Sequence, residues 1–117
     1  MTARTYHGSC HCGAVKFRFA SEPITKGLRC NCSICRRRGA VMSDTYVPPD
    51  AFTLEPTDTL VKYQFGDRDM NHWFCKTCGV FPFSDVAATG QYRVNLGCVD
   101  DIDPLAVEIR LVDGRSF

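Results

Sequence analysis

Apolar and polar residues alternate over several short stretches of the chain. In residues 14–20 (AVKFRFA), Val15, Phe17 and Phe19 fall on one face and Lys16 and Arg18 on the other, which is the period of a half-buried strand. The alternation recurs in residues 59–65 (TLVKYQF), 91–96 (QYRVNL) and 106–112 (AVEIRLV). These stretches are rich in β-branched and aromatic residues, which fit a pleated surface. Between them stand Pro48-Pro49, Gly66-Asp67, Thr89-Gly90, Asp103-Pro104 and Asp113-Gly114, pairs that bend or stop the chain. No segment keeps an apolar period of 3.6 residues, and only residues 31–38 (NCSICRRR) can start a helix, a short one. The pattern predicts a single, mainly antiparallel β domain over residues 1–117, with short loops and little helix.

Composition changes the picture in one respect. At 117 residues, 44% of them apolar, the chain can bury a modest core without help from disulfides. The net charge of +1 gives no general pull toward nucleic acid or a membrane. No run approaches the roughly 18 apolar residues of a membrane span, and the N-terminus lacks the apolar core of a secretory signal. The chain is therefore expected in a reducing cytoplasm. There, its eight cysteines point to metal ligation or catalysis rather than to a disulfide framework.

Seven of those cysteines are clustered. Cys10 and Cys12 stand just before the strand signal of residues 14–20, and in extended backbone residues two apart face the same side. Cys75 and Cys78 have the two-residue gap of a zinc knuckle, with Gly79 where the turn favours left-handed backbone. Each pair supplies half of a tetrahedral zinc site, and joining the two gives a four-thiolate structural site that staples distant parts of the chain.

Cys30, Cys32 and Cys35 remain. Three thiolates from one short segment can cap a zinc ion from one side and leave its fourth position open, the arrangement of a catalytic site. Closure by Cys98 or a histidine would instead make a second structural site. Cys98, at the end of a strand signal, reads more simply as a small apolar residue. His11 between two ligands should point away from their metal. His7 and His72 lack paired spacing, and His72 reads first as an ordinary strand position. Trp73, Phe74, Phe81 and Phe83 read as core aromatics. Asp44 and Tyr46 follow the triplet on an alternating stretch and are candidate proton relays.

The segments GSCHCGAVKF, CNCSICRRRG, FCKTCGV, NLGCVDDIDP and DGRSF together resemble the glutathione-dependent formaldehyde-activating enzyme/centromere protein V family, in the right order over nearly the whole chain. Asn31 departs from it, many members having His between the first two cysteines of the triplet. The resemblance implies a β-tent fold. It also implies a structural zinc on Cys10, Cys12, Cys75 and Cys78, and a catalytic zinc on Cys30, Cys32 and Cys35, hence two ions per chain. The implied activity is that of a carbon–sulfur lyase, which adds the sulfur of glutathione to formaldehyde or another small electrophile.

Three thiolates leave zinc with a formal charge of −1, a weaker Lewis acid than zinc on neutral histidines and one better suited to a soft thiol than to water. Of Arg36, Arg37 and Arg38, about 100° apart if helical, one or two can face that site and grip a carboxylate of the substrate. The second functional class is a zinc-stapled β module that binds a protein or nucleic acid without turnover. Three adjacent arginines are a weak footprint for nucleic acid, and a purely structural module does not require the three-cysteine cluster.

Overall fold

The computed structural model describes residues 3–114. Its elements run β1 (Arg4–Ser9), β2 (Lys16–Ser21), β3 (Lys26–Cys30), α1 (Ser33–Arg38), β4 (Met42–Ser43), β5 (Phe52–Leu54) and β6 (Leu60–Tyr63). Strands β7 (Met70–Cys75), β8 (Phe83–Val86), β9 (Tyr92–Val94) and β10 (Glu108–Val112) complete the order. The fold is mainly β, with a single short α-helix among the described residues. No helix among them is long and apolar enough to cross a membrane. Of the segment DGRSF, residues 115–117 lie outside the described residues.

The strands form three sheets, in the orders β1-β2-β5, β10-β3-β4 and β6-β7-β8-β9. All pairings are antiparallel except that of β10 with β3, which is parallel. Alternation identified β2, β6, β9 and β10, each of them shorter than the pattern suggests, with β6 confined to Leu60–Tyr63. β9 stops at Val94 because Asn95 turns the chain into a 3-10 turn over Leu96–Cys98, its side chain accepting from the Gly97 N–H at 3.1 Å. β10 begins only at Glu108.

The core lies where the first and third sheets meet. Phe17 and Phe19 of β2 point inward, as their alternation requires, and Phe52 of β5 stacks on Phe17 with ring centroids 5.4 Å apart. Phe83 of β8 meets both rings edge-on, a favoured aromatic arrangement. Val15, Val94 and Leu96 fill the space between and are fully buried. Phe83 is thus the core aromatic expected. Phe74, by contrast, is exposed, and Trp73 is half-buried with its indole N–H donating to Asp85 at 2.7 Å.

Candidate metal centres and the adjoining cleft

The β1–β2 hairpin ends in the turn that carries Cys10 and Cys12. Gly13 N–H donates to the Cys10 carbonyl at 3.2 Å and Cys10 N–H to Val15 at 3.1 Å. The two sulfurs meet because the chain turns there, not because the backbone is extended as the spacing suggested. At the end of β7, the Cys75–Cys78 knuckle closes through Gly79 N–H to the Cys75 carbonyl at 2.7 Å. Gly79 has φ +77°, a conformation that disfavours any side chain. His11, in the hairpin turn, is exposed.

These turns bring Cys10, Cys12, Cys75 and Cys78 together, with all four sulfurs within 4.8 Å of one another. Cys10 and Cys12 are 3.6 Å apart and Cys12 and Cys75 3.7 Å. Zinc–sulfur bonds of about 2.3 Å in a tetrahedron require sulfur–sulfur edges of about 3.8 Å. The four sulfurs therefore fit a zinc ion. Cys98 is not one of them: its sulfur faces the Phe81 carbonyl at 3.8 Å, and burial, with Cys10 and Cys78 nearby, pushes its thiol up to about 11.

A second group joins Cys30 at the end of β3, Cys32 just ahead of α1, and Cys35 one turn into it, again within 4.8 Å. No fourth cysteine, histidine or acid joins this group among the described residues. The Cys32 N–H points at the Cys30 sulfur from 3.4 Å. Burial, then the Cys32 thiol beside it, pushes Cys35 up to about 12 against the pull of Arg38. Cys32 goes the other way: burial opposes its thiolate, but hydrogen bonds from the Cys35 side chain and backbone outweigh it. Three half-buried thiols whose sulfurs lie within 4.8 Å of one another are a donor set suited to a divalent cation. The C-terminal segment packs on this cluster. A side chain at Gly114 would collide with the Cys30 sulfur, and Asn31 donates to Asp113 at 2.9 Å.

The three arginines after the cluster diverge. Arg36 is exposed, and Arg37 bends back to the Ser33 carbonyl at 2.7 Å. Of the three, Arg38 is the one that enters the cleft beside the cluster. Its guanidinium lies over the Phe81 ring at 3.7 Å, with Nη1 donating to His72 Nδ1 at 2.9 Å and Nη2 reaching the Cys35 sulfur at 3.7 Å. Because arginine only donates, His72 Nδ1 must accept, which places the imidazole proton on Nε2. His72 is thus a strand residue of β7 and part of the site, 8% exposed and stacked on Phe65 at 5.6 Å.

Burial, then the Arg38 charge, lowers His72 to about 4 against its ordinary 6.5, with Asp69 and Asp85 opposing. A histidine depressed in the fold contributes stability above its unfolded pKa and loses it as pH falls through the folded one. Stability should therefore decline through the window from pH 6.5 to 4 more steeply in the native protein than in His72→Asn, which keeps an acceptor but cannot take the proton. Urea midpoints measured across that range test this. Parallel profiles would show that His72 does not titrate as described.

Cys30, Cys32, Cys35, Arg38 and His72 line one side of a cleft of about 470 Å³, within the usual size of small-molecule sites. Tyr46, Ser84, Arg93 and Arg110 line it further along. Arg110 is bound to Asp44, so that acid is engaged in an ion pair. Sequence reasoning missed Ser84, Arg93 and Arg110. Arg93 lies in QYRVNL, where alternation assigns it to the face opposite Tyr92 and Val94, and that face lines the cleft rather than open solvent.

A crystal structure of a Rhodobacter sphaeroides protein is 32% identical, covers 91% of this chain and 99% of its own, and superposes with a TM-score of 0.78. A Halomonas elongata protein, provisionally named a glutathione-dependent formaldehyde-activating enzyme, is 60% identical over 30 residues, which are 26% of this chain and 19% of that protein. The chain thus matches about a fifth of that relative's length. The sequence profile of the family described as glutathione-dependent formaldehyde-activating enzyme matches residues 5–111, a stretch that holds both cysteine clusters and nearly all of the cleft. By that match the chain belongs to the glutathione-dependent formaldehyde-activating enzyme family.

Proposed function

We propose that the protein is a zinc-dependent enzyme of the carbon–sulfur lyase type, acting on glutathione or a similar thiol and a small electrophile such as formaldehyde. One observation carries this reading: three cysteine sulfurs converge on the wall of a cleft, with no fourth such ligand among the described residues. A separate group of four sulfurs is placed to hold a structural ion, so the fold does not need the three-cysteine group for that purpose. In this reading Cys10, Cys12, Cys75 and Cys78 hold a structural zinc, and Cys30, Cys32 and Cys35 hold a second one with a position open to substrate. When bound there, zinc supplies a soft Lewis acid that keeps an incoming thiol in its nucleophilic thiolate form near neutral pH.

The chain's own residues orient the partners. Arg38 braces Cys35 and His72 together and sets a positive charge beside the thiolates. His72, neutral at pH 7, keeps a proton on Nε2 and can donate a hydrogen bond to an oxygen that gains negative charge as sulfur adds to the carbonyl carbon. The net reaction balances without an oxidant. The S–H bond and the carbonyl π bond are lost, C–S and O–H bonds form, and the thiol's proton ends on the product oxygen. A binding module without turnover has no comparable use for a three-thiolate group in a small-molecule cleft.

Calorimetric titration of the zinc-loaded protein with glutathione and with S-methylglutathione tests the reading, since the methylated compound cannot supply a thiolate. Glutathione should bind at least about tenfold more tightly, equivalent to about 1.4 kcal/mol. Equal affinities would mean that the sulfur is not at the metal, and the reading would fail.

A further inference from the structure

A thiol held at the three-cysteine end still needs something to hold the rest of the molecule. Arg36 and Arg37 do not line the cleft, and Arg38, over the Phe81 ring, already turns Nη1 to His72 and Nη2 to Cys35, so that only its buried Nε lacks a partner. The floor of the cleft offers another cation. Strands β7, β8 and β9 pair so that His72 stands opposite Ser84, and Ser84 opposite Arg93. All three residues line the cleft, forming one cross-strand row on a single face of the sheet. At about 4.8 Å per strand, the backbone of Arg93 stands about 10 Å from that of His72.

Arg93 is half-buried, and its guanidinium lies 4.2 Å from the centre of the Tyr46 ring. It makes no ion pair among the described residues, and its Nε is buried without a hydrogen-bond partner. Asp44 is bound to Arg110. A cation partly withdrawn from water, whose nearby acid Asp44 is taken up by Arg110, is stabilised by an anion brought to it. The Tyr46 ring against the guanidinium limits its freedom, which lowers the cost of holding it for a carboxylate.

We propose that Arg93 is the carboxylate-binding residue of this cleft, so that the site selects small thiols bearing a carboxylate, with sulfur at the three-cysteine end and the carboxylate at the Arg93 end. This rests on the thiol reading above and assigns the specificity within it. It places the carboxylate on β9, away from the arginine run of α1.

The test uses the full chain with cobalt in place of zinc, titrated with glutathione and with its dimethyl ester, which keeps the thiol and loses both carboxylates. Cobalt–sulfur absorption reports the sulfur, and calorimetry reports total binding. The native protein should prefer the free acid by at least about tenfold. Arg93→Gln should reduce that preference to under about threefold while leaving the ester's affinity and the cobalt spectrum unchanged, which also shows that the variant is folded. Arg93→Lys should keep part of the preference, and Arg36→Gln all of it.

A preference that survives Arg93→Gln overturns the assignment and leaves the sulfur reading standing. An acid preference removed by Arg93→Gln, with no cobalt–sulfur change for either compound, overturns the sulfur reading and leaves the Arg93 site standing. No binding by either measurement overturns both.

Discussion

Cys12→Ser should unfold the protein or destabilise it by more than about 4 kcal/mol, a loss confined to a few mechanisms that include removal of a structural metal. The exposure of Cys12 makes this test clean. An exposed position in a hairpin turn gives up no packing when sulfur becomes oxygen, and ordinary surface substitutions stay within about 0.5 kcal/mol. Any large effect must therefore come through the group it joins with Cys10, Cys75 and Cys78. The same change at Cys75 would be ambiguous, because that sulfur is fully buried and a hydroxyl there is costly by itself. Cys35→Ser is the contrasting case. It should give a folded protein with one metal ion fewer. Urea unfolding and metal content of the purified variants read both outcomes. A Cys12→Ser variant as stable as the native protein would remove the structural role of the first cluster, and equal unfolding of both variants would remove the division of labour between clusters.

The parts of this architecture that were legible in the sequence are those encoded locally. Alternation over 14–20 places Phe17 and Phe19 inward because burial of one face of a strand needs nothing but period two. β1 carries no such signal: its two buried positions are Tyr6 and Gly8, and glycine contributes no apolar mark. β7 was obscured in another way, since its buried position beside the cleft is His72, a polar residue that belongs to the site. The parallel partnership of β10 with β3 could not be read from periodicity, which orients a strand's faces but does not name its neighbour. The cysteine groups were visible because ligand spacing is itself local, and counting to four joined the two distant pairs. The row His72–Ser84–Arg93 is the opposite case. It exists only in the register of three strands, and the run Arg36–Arg38, conspicuous in the sequence, sends one side chain of three into the cleft.

On the two-zinc reading proposed above, chelation should remove the ions in separate steps, the three-cysteine site first and without loss of fold. Two features of the chain require this order. Cys30, Cys32 and Cys35 lie within six residues, so an ion there closes no long loop, and all three border an open cleft that a chelator can enter. Cys12 and Cys75 are 63 residues apart, so an ion on the four-sulfur group ties the β1–β2 hairpin to the β7–β8 knuckle and removes the freedom of the long segment between them. Two of its four sulfurs, Cys10 and Cys75, are sealed in the core. Binding at such a site is coupled to folding, with apparent free energies of about 10–16 kcal/mol in small zinc domains. The first equivalent of metal should therefore appear in the chelate with the far-UV circular dichroism unchanged, and the second only as the β signal collapses. Release of both ions in one transition, together with the fold, would make the three-cysteine group a second staple, and the case for an open site at the cleft would be lost with it.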